Sequence, residues 1–480
     1  MKKVLGYLQA LIKVVLALAI AVCAWFFLTP YFRVGRNTEG DLYRNMPEQT
    51  LDVLCLGSSH MQYAFNPAVF YAETGLYSYV MGSACQPITI TGSLLEESLK
   101  TQSPEVVLVD VFTLLPQSEV CYAYGAYYLA IDEMTGETRY KAADAVPEGE
   151  YKLSYKFDLL MNHDNWKTMD FTNPEEILAN VKPAEGYNYN QGYVPLEPEK
   201  QIFTPLWVPE VTEEYKLSDE DKQSLDNIID LCQEAGARII FIKTPYQIND
   251  EDMNKLQAIW NYLDSRNIQY VDYIRKAEEL GWFMDMDGDT WHNNTWGAEI
   301  ITTDLANMFK ENGYVKNHRE NSTWEDLLAF SVRATTYHLM GPSNIDVYRL
   351  LKEAQTYPCL VLVNYVGRPN TSIGEEENAL LQSVGFTKDF AHDPSTDYYA
   401  VVKDGKLVQE STTPFEYDLN GTKITFGEKG ILFDGEHYDT TGQMDLYFLA
   451  EDLQWINAIP IDYATRWFWK KTCDGWTCEY

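Results

Sequence analysis

Short apolar runs alternate with stretches of helical spacing between about residues 50 and 312. The apolar runs are Val53–Leu56, Tyr77–Met81, Val106–Phe112, Ile239–Lys243 and Ile268–Tyr273. Helical spacing occurs between several of them, as in Pro87–Thr101 and Asp250–Arg266. Strands that alternate with helices predict an α/β fold, in which helices cover both faces of a parallel sheet. Open sheets of this kind carry their sites at the carboxyl ends of the strands.

This alternation is interrupted between about residues 115 and 215. The interrupting segment is rich in Tyr, Asn, Pro and acidic residues, and it includes Cys121–Tyr128 and Tyr187–Tyr193. An insertion after the third strand is well placed to form a lid or a substrate wall, whose aromatic side chains could stack on sugar rings. A surface excursion that packs its tyrosines against the domain explains the composition equally well.

The pattern changes again from about residue 320 to the last residue. Trp324–Leu351 has helical spacing, broken at Gly341-Pro342, and the strand-like run Cys359–Tyr365 follows. Short strand-like segments then recur at Tyr398–Val402, Lys406–Gln409, Lys423–Phe426, Ile431–Phe433 and Met444–Leu449. Turn pairs such as Asp404-Gly405 separate them, which is typical of hairpins. Residues 320–480 are therefore predicted to form a smaller, β-rich α+β domain.

An apolar segment opens the chain. Residues 14–28 are apolar without interruption, and extension of the run back to Leu5 gives the length of about 20 residues that a bilayer-spanning helix needs. We predict one transmembrane anchor in residues 1–32, a polar linker over 33–48 and a main domain over 49–315. Lys2 and Lys3 precede the span, which favours main domains outside the cytoplasm, although Arg33 and Arg36 oppose that orientation.

Two other interpretations of this segment stay open. Val22-Cys23-Ala24 loosely matches the small-residue cleavage site of a signal peptide. Cys23 could alternatively carry a lipid, although Val22 is a poor residue to precede a lipidated cysteine. All three interpretations export the rest of the chain, and we expect a single-pass protein of the cell membrane.

The charge of the chain argues against nucleic acid as a partner. Five of its 37 basic residues lie in the first 36 positions, which contain no acid, so the remainder sets 32 basic residues against 71 acidic ones. Such a surface repels phosphate backbones. A solvated acidic face is the simplest explanation of the excess.

The cysteines do not suggest a disulfide scaffold or a metal site. Eight cysteines in 480 residues are few, and those in apolar segments are expected to be buried thiols: Cys55, Cys85, Cys232 and Cys359. Cys473 and Cys478 flank the hairpin signal Asp474-Gly475 and could close a terminal disulfide loop in an exported protein. No cysteine or histidine spacing predicts a metal ligand set, and we expect no cofactor.

The run Asp285-Met286-Asp287-Gly288-Asp289 invites a calcium interpretation because hard cations bind carboxylates. It lacks the full spacing of a calcium loop and the distal glutamate that such loops use. An acidic turn is the preferred interpretation of this run.

Two distant segments carry the candidate chemistry. Gly57-Ser58-Ser59-His60 follows the first apolar run, and Asp289-Thr290-Trp291-His292 lies more than two hundred residues later. A serine hydroxyl needs a neighbouring base to act as a nucleophile, and a carboxylate commonly orients that base. We predict Ser59 as nucleophile, His292 as general base and Asp289 as the group that orients His292. His60 is expected to line the site, because a residue adjacent to the nucleophile rarely points back at it.

These segments resemble the SGNH/GDSL hydrolase superfamily over about residues 50–312. The likeness is carried by Asp52–His60, Gly82, and Asp289–His292 followed by Asn293–Ala298, and it is strongest to the membrane-anchored DltD-like and alginate-acetylation branches. It implies a flavodoxin-like three-layer sandwich, preceded here by the transmembrane helix, and acyl-ester chemistry. It also implies that the backbone N–H groups of Ser59 and Gly82 hold the oxyanion.

The third block of the family pattern is missing. After the strand Val106–Val111 the chain continues Phe112-Thr113-Leu114-Leu115, without the Gly-x-Asn-Asp that supplies a further oxyanion donor. Loss of one such donor can lower a rate by about 10²–10³-fold. Either another donor substitutes or activity is weak.

The second domain bears a faint likeness to the interleukin-like EMT inducer domain. It is carried by Cys359–Asn364, Leu380–Gly385 and Asp397–Val402, none of which holds a catalytic residue of that family. The likeness implies at most a carbohydrate- or partner-binding module.

The leading hypothesis is a membrane-tethered serine esterase or O-acyltransferase that acts on an acylated cell-surface polymer or glycan. The family resemblance also allows an integral membrane acyltransferase as a partner. The rival hypothesis is a non-catalytic surface protein whose degenerate SGNH domain binds carbohydrate or another protein, and the missing third block favours it.

Overall fold

A computed structural model of the chain describes most of its residues. The residues outside the description are 1, 33–38, 122–123, 148–151, 180–181, 183, 197–203, 287–290, 341–346, 370–372, 437–442, 450–454, 462–467, 473–474 and 480.

The helices follow one another in this order: α1 (Lys2–Leu28), α2 (Glu39–Asn45), α3 (Ser59–Gln62), α4 (Pro67–Thr74), α5 (Ile88–Ser98), α6 (Tyr124–Asp132), α7 (Gly136–Ala145), α8 (Lys152–Lys156), α9 (Asp158–Asn162), α10 (Pro174–Ala179), α11 (Asp219–Ala235), α12 (Asp250–Ser265), α13 (Tyr273–Lys276), α14 (Thr295–Asn312), α15 (Ser322–Met340), α16 (Val347–Thr356) and α17 (Glu375–Ser383). The strands are β1 (Val53–Gly57), β2 (Ser78–Gly82), β3 (Val106–Asp110), β4 (Arg238–Lys243), β5 (Gln269–Asp272), β6 (Leu360–Tyr365), β7 (Tyr398–Lys403), β8 (Lys406–Ser411), β9 (Glu416–Leu419), β10 (Thr422–Gly427), β11 (Gly430–Phe433), β12 (Met444–Leu449), β13 (Trp455–Ile461), β14 (Phe468–Thr472) and β15 (Gly475–Glu479).

The first five strands form one parallel sheet in the order β2-β1-β3-β4-β5. The five predicted strands are therefore confirmed, and so is the α/β class. Strand β1 lies between β2 and β3, and its last residue, Gly57, stands opposite Gly82. Because all five strands run the same way, their carboxyl ends meet at one edge of the sheet.

Both faces of this sheet are buried. Leu54 and Leu56 of β1 belong to a core shared with α5, α11 and α12, whereas Val53 and Cys55 belong to a second core shared with α4 and α14. Burial on two faces explains why these strands read as continuous apolar runs rather than as alternating patterns.

The interrupting segment contributes α6 to α10 and then passes along the open edge of β2. Tyr127 and Tyr155 are buried in the main core. Further along, Val80 of β2 donates its N–H to the carbonyl of Gln191 at 2.8 Å. The segment thus packs tyrosines against the domain and also covers a strand edge that would otherwise be unpaired.

Part of the predicted linker is helical. Residues 39–45 form α2, and the side chains of Tyr43 and Met46 are buried in the main core. This short helix was not predicted because most residues of the segment are polar, and only a few apolar side chains face the core. Before it, α1 is 27 residues long and solvent-exposed along most of its length, and it is the one described helix that is long and apolar enough to cross a membrane.

The C-terminal part is β-rich, as predicted. Strands in the order β13-β12-β6-β7-β8 form an antiparallel sheet, β11-β10-β9 form a second one, and β14 pairs with β15. Its first helix, α15, packs against α4. There the ring of Trp324 stacks on Tyr77 at 5.5 Å, and His318 Nδ1 lies 2.7 Å from Asp52 Oδ2. The two parts therefore share a packed boundary.

The expectation for the cysteines holds for three of the four. Cys55, Cys232 and Cys359 are buried free thiols, but Cys85 is half-buried and disulfide-bonded. The prediction for Cys85 fails because this residue lies in the loop between β2 and α5, with φ +51°, and not in a buried strand. Cys473 lies outside the described residues, so the terminal disulfide stays a prediction.

The edge contact at Gly192 yields a prediction about stability. Gly192 has φ +79°, and a Cβ there would lie 1.9 Å from the carbonyl oxygen of Val80. We expect Gly192→Ala to lower the free energy of unfolding by about 2–4 kcal/mol, since strand β2 must move away. Thermal unfolding of the full chain in detergent measures the effect.

Gly186 provides the matched control. Its φ is +89°, but an added Cβ would meet nothing within 4 Å. Gly186→Ala should therefore cost only the backbone penalty, about 1 kcal/mol. Equal costs for the two substitutions would contradict the edge contact.

Candidate active site

Ser59 sits on the sharp turn between β1 and α3. Gly57 ends the strand with φ +151°, where an added Cβ would lie 3.0 Å from Asp110 Cβ. Ser58 then caps α3 by accepting a hydrogen bond from the backbone N–H of His60 at 3.3 Å. Ser59 is the first residue of α3, and its side chain is half-buried at the carboxyl edge of the sheet.

His292 meets Ser59 at this edge. Its Nε2 lies 2.8 Å from Ser59 Oγ, across a separation of 233 residues in the chain. This is hydrogen-bond distance, within the range over which a base can take a hydroxyl proton. The structure therefore brings together two of the three residues predicted for catalysis.

The turn that carries His292 is fixed by its neighbours. Asn294 caps α14 by accepting from the N–H groups of Trp296 and Gly297 at 3.0 and 3.1 Å. Asn293 Oδ1 accepts from the indole N–H of Trp282 at 2.8 Å. The ring of Tyr63 lies 4.5 Å from the His292 ring. The Asn294 cap, the Asn293 hydrogen bond and the Tyr63 ring contact together orient the imidazole toward Ser59.

Asp289 lies outside the described residues, so its predicted role in orienting His292 stays a prediction. Part of the acidic run 285–289 lies there as well. Within the part of the chain that the structure describes, no group of three or more His, Cys, Asp or Glu side chains could hold a metal ion.

Gly82 stands at the end of β2 beside the turn of Ser59. An added Cβ at Gly82 would lie 2.9 Å from the carbonyl oxygen of Gly57. Gln62 of α3 donates its side-chain N–H to the Gly82 carbonyl at 3.1 Å. The close approach of two strand ends therefore requires glycine at position 82, and it brings the backbone of β2 next to Ser59.

A buried charged cluster beneath the site was missed at the sequence level. Lys243, at the end of β4, is fully buried, and its Nζ lies 3.1 Å from His60 Nδ1 and 3.6 Å from Asp110 Oδ2. Asp110 also accepts the backbone N–H of Phe112 at 2.9 Å. The available signal was a charged residue at the same end of two neighbouring apolar runs, Val106–Phe112 and Ile239–Lys243.

Burial shifts the pKa of each member of this cluster in the direction that favours its neutral form. It lowers the pKa of Lys243 and raises that of Asp110, while the attraction between the two charges opposes both shifts. The pKa of His60 is well below its usual value, because of burial first and the charges of Lys243 and His292 next. His60 is therefore neutral and accepts from Lys243 through Nδ1.

The contact with Lys243 argues against His60 as the base that takes the Ser59 proton. Its Nδ1 is engaged by Lys243, and its buried Nε2 has no hydrogen-bond partner among the described residues. The His60 ring stacks on Phe112 at 3.6 Å. Phe112, two residues after the end of β3, is therefore a buried apolar residue beside the site.

Aromatic rings and one returning segment line the rest of the site. Tyr246 lies 5.2 Å from the His60 ring, and Trp291 lies 6.3 Å from Tyr246. The segment 191–196 crosses from α3 to α14, since Val194 donates to the Gln62 carbonyl and Thr295 donates to the Leu196 carbonyl, each at 2.9 Å. The inserted segment therefore forms one wall beside the site.

A scan of the chain against models of protein families matches none of them, and a search of curated proteins finds no significant relative.

The buried ion pair predicts non-additive effects on stability. Lys243→Met or Asp110→Asn alone leaves a buried charge without its counter-charge, which should lower the free energy of unfolding by about 3–5 kcal/mol. The double variant removes both charges, so its loss should be smaller than the sum. Chemical denaturation of the four proteins measures the coupling. Additive losses would show that the two charges do not interact.

The lowered pKa of His60 predicts a dependence of stability on pH. Below about pH 6.5 the unfolded chain binds a proton at this imidazole that the folded chain does not bind, so stability falls as the pH falls. Between pH 7 and pH 5 we expect a loss of about 1–2 kcal/mol from this group. His60→Gln should remove that part of the slope in denaturation curves.

His163 is the matched control, because its side chain is 66% exposed. The slope of His60→Gln is compared with that of His163→Gln. Equal slopes in the two variants would contradict a buried, neutral His60.

Proposed function

We propose that this protein is an exported, membrane-tethered serine esterase or O-acyltransferase of the SGNH type, acting on acyl esters of a cell-surface polymer or glycan. The observation that carries the proposal is the 2.8 Å contact between Ser59 Oγ and His292 Nε2 at the carboxyl edge of a parallel sheet. The order β2-β1-β3-β4-β5 adds support, because it is the order of flavodoxin-like sheets.

In the first half-reaction, Ser59 Oγ attacks the acyl carbonyl carbon while His292 Nε2 takes the hydroxyl proton. The tetrahedral intermediate then collapses, and the bond to the alcohol of the ester breaks. His292 returns its proton to the departing alkoxide. The products are a free alcohol and an acylated Ser59.

In the second half-reaction, an acceptor hydroxyl attacks the acyl-Ser59 carbonyl carbon while His292 takes its proton. The bond between the acyl carbon and Ser59 Oγ then breaks, and His292 returns the proton to Ser59 Oγ. Water as the acceptor gives an esterase, and a sugar or polymer hydroxyl gives a transferase. Asp289 would stabilise the imidazolium and fix its tautomer.

The oxyanion would be held by the backbone N–H groups of Ser59 and Gly82. A candidate for the missing third donor is Ser83, whose hydroxyl is buried without a hydrogen-bond partner among the described residues. It follows Gly82 in the loop that also carries the disulfide-bonded Cys85. A disulfide in this loop would restrain the donors, and each donor placed before reaction contributes to electrostatic stabilisation.

Location and charge support a surface substrate. The apolar helix α1 supports tethering, and the disulfide at Cys85 supports an oxidising compartment outside the cytoplasm. The formal charge of −34 disfavours nucleic acid as a substrate.

One observation favours the rival function, a non-catalytic surface protein that binds carbohydrate or another protein. Phe112 is buried against His60 where the family pattern places a polar donor. If the backbone donors at Ser59 and Gly82 cannot stabilise the oxyanion, the site is inactive. An activity assay distinguishes the two functions.

Activity on p-nitrophenyl acetate tests the proposal. Ser59→Ala and His292→Ala should each lower kcat/KM to background, a loss of roughly 10³-fold or more, because either change removes the nucleophile–base pair. Asp289→Ala should cost less, about 10²-fold. A fluorophosphonate probe should label the natural protein and not Ser59→Ala.

Ser103→Ala and His163→Ala are the controls, because they change an exposed serine and an exposed histidine. Both should keep full activity and labelling. Equal background rates in all variants, without any probe labelling, would reject the enzyme in favour of the non-catalytic protein.

A further inference from the structure

Exposed apolar side chains cluster in the part of the inserted segment that follows α7. They are between 37% and 65% exposed, and we call them the insertion patch: Leu153, Phe157, Leu160, Trp166, Phe171 and Leu178. Scattered exposed apolar residues are normal, but a group of this kind marks a contact with a partner or a membrane.

The insertion patch adjoins the end of α1. Trp25 of α1 meets the Phe157 ring edge-on at 6.4 Å, and Asn165 donates its side-chain N–H to the carbonyl of Phe32 at 2.8 Å. Leu160 and Trp166 line a shallow groove together with Trp25, Leu28 and Phe32. Phe157, Leu160 and Trp166 of the patch therefore form one continuous apolar surface with the end of α1.

We propose that the insertion patch is a membrane-contact surface, which lies in the headgroup and upper acyl region of the bilayer that α1 enters. The contacts with residues 25–32 fix its depth, since the end of a spanning helix lies at the boundary between lipid and water. Trp and Phe side chains are favoured at that boundary.

The bilayer is the occupant that this geometry favours. It covers the exposed side of α1 and the insertion patch together, whereas a protein bound to the patch would leave α1 still to be covered.

This contact gives the protein a second attachment besides α1. Two attachments restrict rotation about the α1 axis, and the main sheet then keeps one orientation to the membrane. The inference rests on α1 crossing the bilayer, and it does not depend on the chemistry proposed for Ser59.

Photolabelling of the full chain tests the inference. The protein is reconstituted in vesicles of equimolar phosphatidylcholine and phosphatidylglycerol that contain a lipid with a diazirine high on its acyl chain. After irradiation, labelled peptides are mapped by mass spectrometry. We expect label on α1 and on residues 152–171, and none around Phe330 and Tyr337, which are similarly exposed at 46% and 44% but lie on α15.

The triple variant Leu153→Ser/Trp166→Ser/Phe171→Ser should lose the label on residues 152–171 and keep the label on α1, with an unchanged melting temperature. Phe330→Ser/Tyr337→Ser is the matched control and should label like the natural protein. Label confined to α1 would overturn the inference and point to a second copy or another protein on the patch. Equal label on α15, or none on α1, would overturn it as well.

Discussion

Burial of both faces of the parallel sheet is the constraint on which the rest of the structure depends. Helices cover each face, so polar side chains on these strands reach the surface with the least loss of free energy at the strand ends. Parallel pairing brings the carboxyl ends together at one edge of the sheet. Ser59, Gly82 and the turn of His292 all lie there. The site is thus a consequence of the pairing of β1 with β2 and β3 and of the docking of α14.

The same constraint explains what the sequence could predict. Strands buried on two faces appear in the sequence as apolar runs, which is why all five can be predicted. The segments 57–60 and 289–292 likewise predicted the contact of Ser59 with His292 that the structure shows. The contact of Lys243 with Asp110 and His60 was not found, since it joins three elements across 133 and 183 residues. Helix α2 and the disulfide of Cys85 were also not predicted, because each is formed by contacts with residues distant in the sequence.

The buried cluster links the stability of the fold to the chemistry proposed for it. Burial, reinforced by the charge of Lys243, keeps His60 neutral, and the His60 ring fills the space between Phe112 and Tyr246 directly behind the turn of Ser59. A protonated His60 would place a second charge beside that of Lys243 among buried side chains. The cluster therefore supports the backbone beneath Ser59 without competing with His292 for the serine proton.

The C-terminal part also contributes to the position of His292. Arg349 of α16 pairs with Glu299 of α14 at 2.8 Å and lies over the Trp296 ring at 5.0 Å. Trp296 and Glu299 belong to the first turns of α14, immediately after the turn that carries His292. The helix is thus held by the sheet on one side and by α16 on the other. A region that contributes none of the predicted catalytic residues therefore still helps to hold the helix that follows the turn of His292.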